Sequence, residues 1–334
     1  MRDGIRNGES DGVAAALAAG DRRALARAIT LVESTRPDHR AAARRLLAAI
    51  GSPARPALRV GLTGTPGVGK SSFVETLGLH LTGRGLKLAV LAVDPSSTRS
   101  GGSILGDKTR MERLARAPLA FIRPSPSQAT LGGVGRRTRE AIRLVEAWGA
   151  DVVLVETVGV GQSETMVAQM TDVFVLLIAP GGGDELQGVK RGIMEMADLL
   201  LVNKADGALE AAATRTRADY AGALRLLRPH PGDPPGWPKA LTVSALTGAG
   251  MVEAWEAVRT LAAARRESGA WDARRRQQAE AWFGHAIEDG LVARMKADPA
   301  VAARRQELAA RVTAGEMAAD VAAEMLLDTL LGRR

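Results

Sequence analysis

The stretch LRVGLTGTPGVGKSS, residues 58–72, decides the fold of this chain. Its first six residues form a short run rich in apolar residues, typical of a buried strand. Gly64, Gly69, Lys70 and Ser71 then satisfy the pattern G-x-x-x-x-G-K-[ST] between a predicted strand and a predicted helix. This is the context that a phosphate-binding P-loop requires. The sequence therefore predicts a nucleoside triphosphate site at the end of this strand.

The residue types of this loop match the chemistry of phosphate binding. Glycines let backbone N–H groups curve around phosphate oxygens, and the amino end of the next helix adds positive potential. Lys70 is predicted to reach the β- and γ-phosphates, and the Ser71 hydroxyl is predicted to bind Mg²⁺. We expect nucleotide contacts along the whole loop: Gly64, Thr65, Pro66, Gly67, Val68, Gly69, Lys70, Ser71 and Ser72.

Six further strand-like runs follow residues 58–63 and alternate with helical stretches. They cover residues 87–93, 119–122, 151–157, 172–179, 198–204 and 240–245. Near-continuous apolar strands separated by helices indicate a mainly parallel, doubly wound sheet that is covered on both faces. In such α/β folds the ligand binds beyond the carboxyl ends of the strands, which is where the P-loop stands.

A second motif, NKAD at residues 203–206, follows the run at 198–204 and predicts guanine recognition. The Asp206 carboxylate can accept hydrogen bonds from the ring N–H and the exocyclic amino group of guanine, whereas adenine would leave it unpaired. Asn203 belongs to the same motif, and the stem of Lys204 can cover the face of the base. The tripeptide Ser244, Ala245 and Leu246 is a candidate for a backbone contact with the guanine oxygen.

Three carboxylates are predicted to gather at the carboxyl edge of the sheet. Asp94 and Glu156 end strand-like runs, and Asp107 lies in the polar loop at 94–111. Their mutual repulsion is tolerable only beside a cation, which predicts Mg²⁺. Glu156 stands where Asp is usual, and two interpretations stay open: it reaches the metal through a water ligand, or it polarises the attacking water. Gly159 is predicted to offer its N–H to the γ-phosphate.

The loop PGGGDELQGVKR, residues 180–191, follows a strand and should emerge at the same edge. We expect Lys190 to bring positive charge towards the transition state when GTP and a partner are both bound. The alternative is an ordinary loop in which Asp184 caps the next helix.

Length and composition narrow the class of protein. The 334 residues predict a helical region at 1–55, a nucleotide-binding domain at 56–265 and a helical extension at 266–334. The absence of cysteine excludes disulfides and thiolate metal sites. A net charge of +8 with only 3% aromatic residues argues against nucleic-acid binding. No apolar run is long enough to span a membrane and no signal peptide is visible, so we expect a cytoplasmic protein.

Two helical details can be predicted outside the central domain. Leu25, Ile29 and Val32 share one helical face, and Asp21 is placed to cap that helix. Near the end of the chain, Thr313 and Glu316 fit a capping box before the apolar residues Met317, Val321 and Met325.

With these motifs in view, the chain resembles the ArgK/MeaB family, the methylmalonyl-CoA mutase-associated GTPases, over nearly its full length. The segments that carry the resemblance are GTPGVGKS (64–71), VDPSS (93–97), GDKTRM (106–111), ETVGVGQSE (156–164), PGGGDELQGVKRGIMEMAD (180–198) and NKAD (203–206). Glu156 itself is the residue that this family carries.

The resemblance implies a GTPase that uses GTP and Mg²⁺ and forms a homodimer through its carboxyl-terminal helices. It also implies a chaperone of adenosylcobalamin-dependent methylmalonyl-CoA mutase, one that gates cofactor loading and protects the mutase from inactivation. By matching position, Lys70, Ser71, Asp94, Asp107 and Glu156 are the expected phosphate, magnesium and water residues. Asn203, Lys204 and Asp206 are the expected base-reading residues. A metal-insertion GTPase and a transport-associated kinase or ATPase are the alternatives.

Overall fold

A seven-stranded, all-parallel sheet forms the centre of the first of two compact units, residues 1–276. The second unit is residues 277–334. The coordinates are a computed structural model, which describes residues 9–53, 55–93, 111–124, 131–157, 163–181 and 191–331.

The predicted parallel α/β fold is confirmed, and all seven predicted strands are present with boundaries that differ by at most a few residues. The strands are β1 (Leu58–Gly64), β2 (Leu88–Val93), β3 (Ala120–Arg123), β4 (Val152–Thr157), β5 (Val173–Ile178), β6 (Leu199–Val202) and β7 (Lys239–Thr242). Their order in the sheet is β3-β2-β4-β1-β5-β6-β7. The P-loop strand β1 is therefore central, with Leu62 opposite Glu156 of β4 and Val175 of β5.

Helices cover both faces of the sheet. In chain order, the α-helices of both units are α1 (Glu9–Ala18), α2 (Arg22–Glu33), α3 (Pro37–Ala49), α4 (Lys70–Gly83), α5 (Glu112–Arg116), α6 (Leu131–Ala147), α7 (Ser163–Ala168), α8 (Arg191–Met196), α9 (Glu210–Leu224), α10 (Met251–Glu267), α11 (Ala270–Ala297), α12 (Pro299–Thr313) and α13 (Ala319–Leu331). One face packs Val60, Leu62 and Leu154 against α4 and α10. The opposite face packs Leu200 and Val202 against α9.

The amino-terminal helices α1–α3 pack on α6 at one side of the sheet. Asp21 caps α2 as predicted, accepting hydrogen bonds from the backbone N–H groups of Arg23 at 2.7 Å and Ala24 at 3.1 Å. The predicted apolar face of α2 is fully buried. Pro37 begins α3, where its missing N–H costs nothing because the first N–H groups of a helix have no partner within it.

Trp148 lies where these helices meet the sheet. Its indole Nε1–H donates to the carbonyl oxygen of Gly20 at 2.9 Å, in the turn between α1 and α2. The Lys87 Nζ lies 3.8 Å from the ring centroid, and the Phe121 ring lies 6.1 Å away. The Trp148 side chain is 2% exposed, so its contacts with Gly20, Lys87 and Phe121 are shielded from water.

The amino edge of the sheet is closed by paired charges. Asp172 and Asp198, which precede β5 and β6, accept hydrogen bonds from the backbone N–H groups of Arg59 and Phe174 at 2.8 and 2.7 Å. Arg265 of α10 bonds both Asp198 at 2.5 Å and Asp233 at 2.6 Å.

A second buried group of charges continues this network along the same edge. Arg275 of α11 bonds Asp172 at 2.5 Å, and Arg59 bonds Glu146 at 2.8 Å. Burial disfavours the charge on Arg265 and Arg275, yet hydrogen bonds and charge pairing with their carboxylates raise the pKa of both guanidinium groups. Both guanidinium groups therefore stay protonated despite their burial.

Residues 277–331 consist mainly of helices, the end of α11 with α12 and α13, and they bury Val301, Leu308 and Ala322. The predicted capping box is wrong: Thr313 is the last residue of α12, where its hydroxyl donates back to the carbonyl oxygens of Ala309 and Ala310. The hydroxyl of a threonine in the last turn of a helix readily donates to carbonyl oxygens one turn back, so Thr313 does not cap the following helix. That helix, α13, begins at Ala319. No helix in the described part of the chain is long and apolar enough to span a bilayer.

Candidate functional site

The P-loop occupies the turn between β1 and α4, at the carboxyl edge of the sheet. Two of its glycines are required by close approach. A Cβ on Gly64 would lie 2.4 Å from the carbonyl oxygen of Leu177, and a Cβ on Gly69 would lie 2.7 Å from the Asn203 amide nitrogen. Gly69 also has a left-handed φ of +94°, which strains any other residue. The glycines therefore let the loop lie directly against β5 and the NKAD segment.

Lys70 begins α4 and turns back across the loop. Its Nζ donates to the carbonyl oxygens of Gly64 at 2.6 Å and Thr65 at 3.2 Å. Ser71 and Ser72 follow in the first turn of α4, whose free N–H groups face the same opening. Pro66 and Gly67 are exposed at the tip, whereas Val68 is buried in the core. The loop thus presents cationic and N–H donors on one side and is anchored on the other.

Asn203 joins three predicted segments of the site. Its side-chain amide donates to the carbonyl oxygen of Val68 at 2.9 Å and accepts from the backbone N–H of Ala245 at 3.0 Å. It is 1% exposed, so both bonds are shielded from water. The P-loop, the NKAD segment and the 244–246 loop are therefore brought together, as predicted for a guanine nucleotide site.

Asp206 is oriented by Ser244, whose hydroxyl donates to Oδ2 of the carboxylate. The Ser244 oxygen also accepts from the backbone N–H of Thr247 at 3.0 Å. Lys204 is exposed and has a left-handed φ of +58°, and Leu246 is 85% exposed. A carboxylate that can accept further hydrogen bonds thus lies beside an exposed lysine stem and an exposed apolar side chain, a set that suits a planar base.

Glu156 is the last residue but one of β4, lies on the face that α4 covers, and is 2% exposed. Burial lowers the pKa of the Lys70 ammonium, and the negative charges of Glu156 and Glu164 oppose that shift. The three side chains therefore interact electrostatically at the carboxyl edge of β1 and β4. An acid at this strand end is part of a buried charge cluster and not an incidental surface residue.

Glu164 is a site residue that the sequence patterns did not single out. It lies in the first turn of α7, within the segment ETVGVGQSE, and is 4% exposed. Val167, one turn later, packs over Gly61 in the middle of β1. One helical turn spans about 5.4 Å, which sets Glu164 near the strand ends. Its signal in the sequence was an acid at the start of a helix just after a Gly-rich loop.

Four predicted site residues, Asp94, Asp107, Gly159 and Lys190, lie outside the described residues. Asp184, the alternative cap, does so as well. In the described ranges no group of three or more His, Asp or Glu side chains could hold a metal ion. The described oxygen donors at this edge include the Ser71 hydroxyl and the carboxylates of Glu156 and Glu164.

Comparison with known proteins places this site in a family. The profile of the family described as methylmalonyl-CoA mutase-associated GTPase MeaB matches residues 25–300. A Mycobacterium tuberculosis protein named as a probable GTPase is 52% identical over 318 residues, which is 95% of this chain and 94% of that protein. The mouse protein named methylmalonic aciduria type A homolog, mitochondrial, is 46% identical over 330 residues, 95% of this chain and 78% of its own.

A solved structure extends the comparison to three dimensions. The crystal structure of a protein named LAO/AO transport system kinase matches with a TM-score of 0.74 and 38% identity. The match covers 98% of this chain and 99% of that one. Together with the P-loop, the NKAD segment and their contacts, these matches show that the chain belongs to the MeaB family of methylmalonyl-CoA mutase-associated GTPases, and that it is a GTPase.

Proposed function

We propose that this GTPase is a chaperone of adenosylcobalamin-dependent methylmalonyl-CoA mutase, gating cofactor loading and protecting the mutase from inactivation. The observation that carries the proposal is the family match over residues 25–300, because the family's description names the mutase. The described parts of a GTP site support it, since a chaperone timed by GTP needs a working nucleotide switch.

In this proposal the nucleotide lies along the P-loop with its base at Asp206. Backbone N–H groups of residues 64–72 and the Lys70 ammonium bind the phosphates. Lys70 exchanges its bonds with the carbonyls of Gly64 and Thr65 for phosphate oxygens. Asp206, held by Ser244, accepts the two guanine N–H donors. Asn203 reads the base together with Lys204 and Asp206, and its bonds to Val68 and Ala245 keep the two halves of the site in register.

The donor set at the carboxyl edge fits Mg²⁺. This ion prefers oxygen ligands and takes few from the protein, because water and nucleotide phosphates supply the rest. The Ser71 hydroxyl and Glu156 would hold it, with Asp94 and Asp107 as further carboxylates. Bound Mg²⁺ neutralises charge on the β- and γ-phosphates. We propose that Gly159 donates to the γ-phosphate and that Lys190 brings a cation to the transition state.

A homodimer is proposed through the carboxyl-terminal helices. Phe283, Ile287 and Leu291 recur every four residues on α11 and are 68%, 47% and 53% exposed. This spacing puts them on one helical face. Exposed apolar stripes mark association surfaces, and a second copy of this chain is the proposed occupant.

The dimer proposal predicts that charge on this stripe yields monomers. Changing Phe283 and Leu291 to Asp should shift the species seen by light scattering from dimer to monomer, because two carboxylates would be desolvated in the interface. His285→Asp on another face of α11 is the matched control, and it should stay dimeric. A dimer that survives the double substitution would place the interface elsewhere.

The mutase proposal is tested with the full-length protein and the purified mutase. Capture of the mutase should differ between a non-hydrolysable GTP analogue and GDP, and GTP turnover should rise when the mutase is added. Lys190→Ala should keep GTP affinity and lose much of the stimulation. Equal capture with both nucleotides and unstimulated turnover would refute the coupling. Transfer of phosphate to an acceptor protein would favour the kinase alternative.

A further inference from the structure

A cavity of about 780 Å³ lies on the face of the sheet that α4 and α10 cover. Its lining includes Leu58 and Val152, the first residues of β1 and β4, and Arg84, which follows the last residue of α4. The P-loop lies at the opposite ends of β1 and α4, so the cavity is separate from the nucleotide site. Pockets that hold organic ligands measure about 300–1,000 Å³, and this cavity falls within that range.

The charged side chains that line the cavity leave an excess of positive charge. Four of them are guanidinium groups and two are carboxylates, so their formal charge is +2. They belong to Arg55, Arg84, Arg259, Arg266, Asp151 and Glu256. A guanidinium stays charged at physiological pH and presents paired N–H donors that match phosphate oxygens. The excess charge therefore suits the dianion of a phosphate monoester.

Glu256 holds two of these arginines at one oxygen. Its Oε1 lies 3.0 Å from Nη1 of Arg259 and 3.8 Å from Nη1 of Arg84. Arg259 uses only Nη1 for Glu256, and its other N–H groups have no acceptor in the described part of the chain. One carboxylate thus positions two guanidinium groups and neutralises the charge of only one.

The other two arginines are positioned by contacts that leave their charge available. Nη1 of Arg55 lies 3.7 Å from Asp151, and this side chain is 87% exposed, so water screens the pair. Asp151 also accepts a hydrogen bond from the backbone N–H of Lys87 at 2.9 Å, which gives it a structural role of its own. The Arg266 guanidinium lies 4.2 Å from the Trp271 ring centroid, and stacking on a neutral ring orients the cation without cancelling its charge.

Apolar side chains form another part of the accessible wall. Pro56 and Ala263 are exposed, and Leu86 is half-buried. An inorganic phosphate ion would fill only a small part of the cavity and would leave this wall in water. A planar or apolar group attached to the phosphate would cover the wall, and its hydroxyl or amino groups would find acceptors in Asp151 and Glu256.

We propose that this cavity is a second ligand site, which binds an organic phosphate of about nucleotide size independently of the P-loop. The arginines bind the phosphate, and the apolar wall binds the body attached to it. The two sites differ in chemistry, because side-chain guanidinium groups bind phosphate here, whereas the P-loop uses backbone N–H groups and Lys70. The second site does not depend on the assignment of the mutase as partner.

Adenosine monophosphate and naphthyl phosphate are the probes for this site. Each joins a phosphate monoester to a planar body, and neither has the β-phosphate that a P-loop binds. Calorimetric titration into the full-length protein, saturated with GDP and Mg²⁺, should show one site with a Kd of about 0.01–1 mM. Adenosine and inorganic phosphate each supply half of the ligand and should bind at least about 10-fold more weakly.

Two results of these titrations would overturn the inference. One is the absence of binding by both probes at about 5 mM. The other is inorganic phosphate binding as tightly as the two probes, because the cavity would then hold an adventitious ion only.

A double variant tests whether the arginines form the site. Arg84→Gln combined with Arg259→Gln removes both guanidinium groups at Glu256, and we expect the affinity for the two probes to fall at least about 10-fold. The affinity for GDP should stay within about 2-fold, because the P-loop lies at the other end of α4. Unchanged probe affinity in this variant would place the binding elsewhere and overturn the inference.

The matched control removes the same charge outside the cavity. Arg215 on α9 and Arg228 after it are exposed, and Arg215→Gln combined with Arg228→Gln should keep the probe affinity within about 2-fold. An equal loss of affinity in the two double variants would show that the probes respond to net charge and not to a site, which would also overturn the inference.

Discussion

At the amino edge of the sheet Arg265 is 3% exposed and bonds two carboxylates, whereas at the carboxyl edge Lys70 bonds two carbonyl oxygens of its own loop. Both edges bury charged groups. At the amino edge the buried cation, Arg265, pairs directly with carboxylates, and no ligand is proposed to bind these ion pairs. At the carboxyl edge, carbonyl oxygens of the P-loop hold the Lys70 ammonium, which can exchange these hydrogen bonds for bonds to a phosphate. The comparison teaches that a parallel sheet can be closed at one edge by ion pairs and left available for ligand at the other.

The largest expected effect tests the closed edge. Arg265→Met leaves Asp198 and Asp233 buried without their cation, and we expect the free energy of unfolding to fall by about 3–5 kcal/mol. Urea denaturation measures it. Arg266→Met is the matched control: this neighbour is exposed and stacks 4.2 Å from the Trp271 ring centroid, so its loss should cost about 1 kcal/mol or less. Equal losses of unfolding free energy in the two variants would show that the buried ion pairs of Arg265 make no special contribution to stability.

The second effect tests the open edge. Asp206→Asn turns one acceptor towards guanine into a donor, so GTP affinity should fall by about 10²-fold, and xanthosine triphosphate should be partly accepted. Unfolding should change by less than about 1 kcal/mol, because the Asn oxygen can still accept from Ser244. Asp219→Asn, an exposed carboxylate on α9, controls for charge. Equal affinity of the unmodified protein for ATP and GTP would contradict this assignment.

The third effect concerns the acid that ends β4. Glu156→Gln should reduce turnover about 10- to 100-fold, and if Glu156 serves the metal it should also weaken the Mg²⁺ dependence of GTP binding. Glu164→Gln is matched in burial and in its influence on Lys70, and it should leave the Mg²⁺ dependence unchanged. Normal turnover together with normal Mg²⁺ dependence in Glu156→Gln would exclude both roles that remain open for it.

The smallest effect sharpens the comparison within the open edge. Ser244→Ala removes the hydroxyl that orients Asp206, and GTP affinity should fall by about 2- to 10-fold, the range of a single net hydrogen bond. Equilibrium binding of GDP measures it. An affinity loss as large as that of Asp206→Asn would mean that Ser244 supports the whole loop and not only the carboxylate.

Most strands were predictable because they are runs of apolar and β-branched residues buried on both faces; the edge strand β7 is only partly buried. Nothing in those runs predicts the order β3-β2-β4-β1-β5-β6-β7, since the side chains of one buried parallel strand resemble those of another. The capping box at Thr313 failed for a related reason. Its four-residue pattern is satisfied at the end of one helix as well as at the start of the next.

The site was predictable where its chemistry lies in contiguous residues. The P-loop and NKAD segments are short and local, and their mutual contact through Asn203 agrees with their predicted function. Arg265 shows the limit, because in sequence it is one of many arginines on helices that look solvated. Its partner Asp198 is 67 residues away in sequence, and no helical or strand periodicity indicates a contact over that separation.

The fluorescence of Trp148 can report whether the amino-terminal helices stay packed on the rest of the first unit. The chain has five tryptophans. The Trp148 indole donates a hydrogen bond to the carbonyl oxygen of Gly20, in the turn between α1 and α2. With Phe at positions 237, 255, 271 and 282, emission would come from one buried ring beneath the Lys87 ammonium. Release of α1 and α2 would hydrate that ring and move its emission to longer wavelength. A fluorimeter can thus follow whether these helices stay docked during a GTP cycle, without any attached dye.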